Sequence, residues 1–330
     1  MPAPAMLRTL RRRHVVLGLG AAALASPTIV RAAEPWPTRP VKLIVPYAPG
    51  GAGDTIARPW ADKLQQAFGQ PFVVENRGGA SGAIGTEAAA RAAPDGYTFL
   101  ATTSAPLTIL PQLRKVGYDP RKDFLPVGRM GDTLGGFVIN AQTGLRTLAE
   151  VVDYAKKNSG KLAFGSAGLG TSTQMRLEML KYRTGADILH VPYRGSGDAL
   201  VDILAGHVQM MNEIVVLPHV KTGKLTLLAI NHATRNPDFP ETPTLTEVGY
   251  PHSDVPIWYS IWAPTGTSAD IVARMNAKML DIARTPEMVQ RMREISTIGT
   301  PQIPAEMLAF YEADWAGNGA LIREAKITLG

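Results

Sequence analysis

One pattern recurs along this 330-residue chain and limits what it can become: a short apolar run, a loop rich in Gly, Ser or Thr, and the start of a helix. Its first instance is Val41-Lys-Leu-Ile-Val45, followed by Pro46-Tyr-Ala-Pro-Gly-Gly-Ala-Gly-Asp54 and by Ile56, Trp60 and Leu64 at helical spacing. The apolar run suits a buried strand. Pro46 ends it because proline has no N–H to pair. Gly50, Gly51 and Gly53 open conformations closed to other residues, and Asp54 is placed to cap the helix. Such a unit sets free N–H groups and a positive helix end at the rim of a sheet, where an anion would sit. The competing reading is an ordinary tight turn.

The pattern returns at residues 76–86, 102–106, 165–172 and 193–198. Around these loops the sequence predicts strands over 71–75 and 97–102 and a helix over 86–92, then a poorly patterned stretch over 107–123. A second series starts near residue 131. It has a strand over 137–140, a helix after the capping box Thr147-Leu-Ala-Glu150, a strand over 162–165 and a helix over 172–183. A strand over 188–191, a helix over 199–205 capped by Asp198, and strands over 208–211 and 225–230 complete it. A strand over 256–263 begins the return, and helices over 268–284, 286–294 and 304–325 end the chain. The alternation predicts an α/β chain built on parallel sheet. Two lobes are expected: residues 34–134 with 256–330, and residues 135–255. The tail would pack on the first lobe, and the glycine loops would face one cleft.

A formal charge of +6 invites a nucleic-acid reading, but five of the 34 Lys and Arg residues lie in residues 1–33, which hold no acid. That leaves 29 basic against 28 acidic residues, so the excess belongs to the leader. Residues 1–33 read as an export signal: a basic stretch ending at Arg13, an apolar stretch from Val15 to about Ala25, and small residues around Ala32 and Ala33. Arg12-Arg13-His-Val-Val-Leu17 is similar to a twin-arginine motif, with a general secretory signal as the alternative. The expected compartment is the periplasm. There is no cysteine, which excludes disulfides, thiolate metal sites and a cysteine nucleophile.

Catalytic signatures are missing. There is no Gly-x-Ser-x-Gly, Ser-x-x-Lys, His-Glu-x-x-His or phosphate-loop lysine, and no cofactor or metal is expected. His190, His207, His219, His232 and His252 are scattered, and His190 reads as structural. The loops instead offer backbone N–H groups and hydroxyls without a reactive group, which suits reversible capture of a small anion. Several residues carry two readings. Arg77 and Arg194 either pair with a ligand carboxylate or stand solvated or bound to Asp or Glu. Tyr47 and Tyr193 either close on a ligand or pack as core. Ser166 and Thr171 are candidate donors, with Thr171 and Ser172 equally suited to helix capping. Trp258 and Trp262 read as hinge or core rather than ligand stack, and Met210 and Met211 as core or cleft wall.

Val45-Pro-Tyr-Ala-Pro-Gly-Gly-Ala-Gly-Asp54, Val74-Glu-Asn-Arg-Gly-Gly-Ala-Ser-Gly82, Ala93-Pro-Asp-Gly-Tyr-Thr98 and Tyr118-Asp-Pro-Arg-Lys-Asp-Phe-Leu-Pro126 resemble the Bug family. These are extracytoplasmic solute-binding receptors of tripartite tricarboxylate transporters. Phe164-Gly-Ser-Ala-Gly-Leu-Gly-Thr171, His190-Val-Pro-Tyr-Arg-Gly195, Leu217-Pro-His-Val-Lys-Thr-Gly-Lys-Leu225 and Trp262-Ala-Pro-Thr-Gly-Thr267 agree. The resemblance implies a two-lobed type II periplasmic-binding fold that closes on a small carboxylate. It assigns the carboxylate to the loops holding Tyr47, Ala48, Pro49, Gly50, Gly51 and Asp54, and Ser166, Ala167, Gly170 and Thr171, partly through waters. Thr103, Ser104, Tyr193, Arg194 and Asp198 would shape the rest. Many relatives have Phe-Asp near Met210-Met211 and a different sequence at Gly195-Ser-Gly-Asp198, which leaves the ligand open. Asp198 then either meets an ammonium or hydroxyl of the ligand or caps its helix. The implied partners are a large and a small integral-membrane permease subunit, with the receptor itself a monomer. The alternatives are a ligand sensor for a signalling partner and a carboxylate-processing enzyme on the same fold.

Overall fold

The computed structural model describes residues 1, 35–251, 253 and 255–329. The export segment expected over 1–33 falls, Met1 apart, outside the described residues, as does His252.

The chain opens with β1 (Val41–Val45), α1 (Ala52–Phe68), β2 (Phe72–Asn76), α2 (Ala83–Ala90) and β3 (Thr98–Thr103). A π-helical turn over Ala105–Ile109 leads into the short α3 (Leu110–Leu113), inside the stretch whose sequence shows little pattern. Strand β4 (Phe124–Thr133) then carries the chain to β5 (Gly136–Asn140), α4 (Leu148–Lys157), β6 (Ala163–Ser166) and α5 (Ser172–Thr184). β7 (Leu189–Pro192), α6 (Ser196–Ala205), β8 (Met210–Glu213), α7 (Leu217–Lys221) and β9 (Leu225–Ile230) follow. β10 (Trp258–Pro264) returns, and α8 (Ala269–Ala283), α9 (Pro286–Glu294), β11 (Thr297–Ile298) and α10 (Pro304–Glu324) finish the chain.

Two sheets result. The first has the order β11-β4-β10-β3-β1-β2 and the second β7-β6-β8-β5-β9. Both are mixed, which corrects the expectation of parallel sheet. β1 pairs parallel with β2 and β3, but β10 runs antiparallel between β3 and β4. In the second sheet β6 pairs parallel with β7 and β8, while β5 runs antiparallel between β8 and β9. The reason is topological: β5 and β10 are where the chain enters one sheet from the other, so neither arrives by a helical crossover. The two passages lie side by side, with Thr133 N–H donating to Ile257 O at 2.9 Å.

Each sheet has its own apolar core. Phe137, Ile139, Val151, Phe164, Leu177, Leu180 and Met210 fill the second, where α4 and α5 bury their apolar stripes. Ile44, Leu100, Phe124, Trp258, Trp262, Met307 and Tyr311 fill the first. Trp258 and Trp262 meet Phe310 and Tyr311 edge-on at 5.5 and 5.3 Å, so both indoles are core, as their sequence context predicts. α8 and α10 lie on β4. The chain end also reaches across to the second series, because Ile327 packs with Ala105, Ile109 and Met175 of α5. The capping box is present as predicted, with Thr147 Oγ1 accepting from Glu150 N–H and Glu150 accepting from Thr147 N–H.

Candidate functional site

The loops after β1, β6 and β7, together with the ends of β3 and β8 and the start of β10, enclose a narrow cavity of about 60 Å³. Three helices begin at its walls. Ala52 and Gly53 come from the first turn of α1, Ser172 and Thr173 from α5, and Ser196, Gly197 and Asp198 from α6. First-turn N–H groups have no acceptor within their own helix, and each helix start carries about half a positive charge. α1 and α6 begin at Gly51 and Gly195 without a side-chain cap, which leaves those groups to the cavity. Among the described residues no Lys, Arg or His borders it. What favours an anion there is the field of backbone dipoles, and Asp198 and Glu213 on the wall oppose it.

Hydroxyls complete the donor set. Tyr47 Oη and Thr103 Oγ1 are buried and have no hydrogen-bond partner among the described residues. Burial raises the Tyr47 pKa, so its phenol keeps its proton and remains a donor. Ala52 N–H approaches Ser196 Oγ at 3.5 Å, so the loops of the two series touch across the cavity. Beside it, Ser104 Oγ and Ser172 Oγ share a hydrogen bond of 2.8 Å. Ser172 borders both this cavity and a larger one of about 380 Å³ that Met175, Arg176, Asp314 and Leu321 also line.

The residues named from sequence divide into two groups. Tyr47, Ala48, Pro49, Gly51, Thr103, Ala167, Thr171 and Asp198 border the cavity. The others are engaged elsewhere. Gly50, held at φ +77° in the turn, gives its N–H to Asp54 Oδ2 at 3.0 Å. Asp54 is not the helix cap: Gly51 occupies that position, and Asp54 stands in the first turn, paired with Arg58 at 2.8 Å. Burial works against its charge, but Arg58, the Gly50 N–H and Asn76 together hold its carboxyl below the ordinary value. Ser166 Oγ bonds His190 Nε2 at 2.7 Å and accepts from Gly168 N–H at 3.1 Å. His190 is thus structural, and burial lowers its pKa. Gly170 N–H donates to Gln174 Oε1 at 2.6 Å. Ser104 turns to Ser172, and Tyr193 Oη donates to Asp202 Oδ2 at 2.7 Å. Asp198 does not cap α6 either, since the helix begins at Ser196 after Gly195. Arg77 pairs with Glu75.

Arg194 lies in a wider outer cleft of about 620 Å³, with Arg114, Gly78–Ser81, Gly168 and Tyr193. Ala48 and Ala167 border both this cleft and the narrow cavity, so the two lie side by side.

Sequence reasoning passes over Glu213, Ser196, Thr173, Ile257 and Tyr259. Ser196 lies inside the 193–198 loop, and the start of α6 two residues before Asp198 is the signal that would have singled it out. Glu213 is the more consequential. It is 5% exposed, stands at the end of β8 on the cavity wall, and accepts a hydrogen bond from Ile214 N–H at 3.3 Å. Burial raises its pKa to about 7 against the opposing pull of that N–H and of Arg176. Arg176, itself 6% exposed, donates to Val255 O, and burial lowers its pKa to about 10.

Helix starts from both sheets thus wall one cavity. Residues 56–324 match the tripartite tricarboxylate transporter family receptor. The chain belongs to that family. BugT of Bordetella pertussis is 36% identical over 315 residues, which is 93% of this chain and 96% of BugT. The solved structure of R. palustris Rpa4515 with adipate superposes with a TM-score of 0.86 at 31% identity, covering 89% of this chain and 99% of that one. MatC from Rhodopseudomonas palustris with bound malate gives 0.82 at 27% identity, covering 87% and 99%. The receptor is therefore a periplasmic solute-binding protein of the Bug type with the two-lobed α/β fold its sequence implies.

Proposed function

We propose that this receptor captures a small organic acid in the narrow cavity and hands it to a tripartite tricarboxylate-type membrane permease. The convergence of three helix starts on one cation-free cavity is the observation that carries the reading. Each start contributes up to about 2 kcal/mol to a partly buried anion. Two hydroxyl donors at roughly 1.5 kcal/mol each bring the total near the 8 kcal/mol that micromolar binding requires. The adipate and malate held by two structural neighbours support a carboxylate ligand. In this reading Ala52, Gly53, Thr103, Ser196 and Tyr47 hold the carboxylate. The lobes, 34–134 with 256–330 and 135–255, close on it. The leader over 1–33 directs export and is removed, and the mature monomer meets the two permease subunits. No reacting group is assigned, so binding without turnover is the expected behaviour.

The test is thermal unfolding of residues 34–330 with acetate, malonate, succinate, malate, adipate, glutamate, glucose and calcium. A ligand at one hundred times its dissociation constant adds about 2.7 kcal/mol, a rise of several degrees in a chain of this size. A rise with one or more of the carboxylates and none with glucose or calcium is the expected result. The opposite pattern overturns the ligand class, and chemical conversion of a stabilising carboxylate overturns the receptor role.

A further inference from the structure

The cavity that attracts anions through three helix starts also carries a buried acid on its wall, and the two are in conflict. Glu213 ends β8 with its side chain 5% exposed, and the one hydrogen bond to its carboxyl among the described residues comes from Ile214 N–H at 3.3 Å. The titratable groups around it come from every neighbouring element. Arg176 lies on α5, Tyr47 in the loop after β1, Tyr259 on β10 and Asp198 in the first turn of α6. Arg176 attracts the carboxylate, while the hydrogen bond it makes goes to Val255 O. Both phenols keep their protons because burial raises them, so both stay neutral and add no charge of either sign. An ionised Glu213 would face a ligand carboxylate across a narrow space whose wall holds no Lys, Arg or His among the described residues, and repulsion in so dry a place is strong. A protonated carboxyl removes that repulsion and turns the same oxygen into a hydrogen-bond donor.

We propose that Glu213 is protonated when a carboxylate occupies the cavity and donates its O–H to it, so that capture of the anion takes up a proton. This rests on the carboxylate reading above and deepens it. The carboxyl of the free receptor titrates near neutrality, its value set by burial. A bound anion shifts that titration further upward, which is the linkage between the two events.

The measurement is calorimetric titration of residues 34–330 from pH 6.5 to 8.5 with whichever of succinate, malate or adipate binds most tightly. Each pH is run in two buffers of different ionisation enthalpy. Over this range the expected affinity falls, approaching tenfold per pH unit at the alkaline end, with close to one proton taken up per anion at pH 8.5. Glu213→Gln keeps a donor at the same place but cannot titrate, so its affinity is expected to change by less than about twofold across the range. The two-buffer proton count is made on the unmodified receptor and decides the matter even if the variant does not fold.

Affinity that rises with pH, or proton release on binding, overturns the proposal in favour of an ionised Glu213 holding a ligand ammonium or hydroxyl. A slope that persists in Glu213→Gln assigns the titration to another group, Asp198 being next on the wall, and overturns it as well. Binding with no pH dependence removes the coupling and leaves the carboxylate reading intact. Absence of binding by all three acids at pH 6.5 removes both.

Discussion

Under the proposed function, Thr103 divides its work between stability and binding. Its Oγ1 is buried at the end of β3 with no partner among the described residues, so the folded state bears a polar group that binding would satisfy. Thr103→Val keeps the shape and removes the hydroxyl. The melting temperature should stay level or rise slightly, while affinity for a carboxylate should fall about tenfold or more, as expected for a lost hydrogen bond to a charged group. Calorimetry beside thermal unfolding separates the two. A parallel fall in both would mean that the hydroxyl serves the fold. Glu213 gives a second residue-scale expectation, in stability. Its folded-state pKa, about 7, lies above that of an unfolded glutamate, so the native state binds more protons between about pH 4.5 and 7. Its contribution is full below that window and is lost as pH rises through it. Relative to Glu213→Gln, the unmodified receptor should therefore lose stability from pH 5 to pH 8, by on the order of 3 kcal/mol at most. Urea unfolding at the two pH values checks the sign. This residue is illegible in sequence because the apolar run over 208–211 stops short of it. A polar pair such as Asn212-Glu213 at a strand end looks like loop until burial is known. Asp54 misleads in the opposite way. Its type and place suit a helix cap, yet with glycine as the cap its side chain reaches back to Gly50 instead.

At the scale of elements, the long regular pieces are readable because their periodicity is strong. The strand over 225–230 and the helix over 286–294 lie where the sequence puts them, and the capping box marks the start of α4. β4 is not readable. Pro126, Gly128, Gly131 and Asp132 interrupt any alternation, and the strand exists because β10 and β11 pair with it. Its buried Arg129 and Asp132 pair with one another, which hydropathy scores as surface. The first turn of α2 makes a sharper demand. A Cβ on Gly85 would lie 2.5 Å from Arg77 O and 2.8 Å from Pro46 Cα, both backbone atoms with little room to move. Gly85→Ala should push α2 off the end of β1 and cost roughly 1–3 kcal/mol, within the range for overpacked sites. Chemical denaturation gives the value, and an unchanged midpoint would show that α2 can shift freely.

Over the whole molecule, charge and connectivity matter more than single contacts. Arg114 and Arg194 border the outer cleft beside the narrow cavity, so under the proposed function their field would act on an anion before it arrives. Arg194→Glu should slow association several-fold at low salt, with the difference fading once the screening length drops to a few ångströms near 1 M salt. Stopped-flow tryptophan fluorescence reads this directly. A change confined to dissociation would place Arg194 on the bound ligand instead.

β10 sits between β3 and β4, and its register pairs Tyr259 with Thr103 and Trp258 with Asp132, partners 156 and 126 positions apart. The centre of the first sheet is therefore closed by residues that are synthesised only after every strand of the second. A chain halted at residue 255 would leave β3 and β4 with bare edges, and those edges are sticky. Contacts of such long range slow folding, so the receptor should reach its native state over seconds rather than milliseconds. Any route that carries this chain through a narrow channel gains a long interval in which nothing irreversible has yet formed.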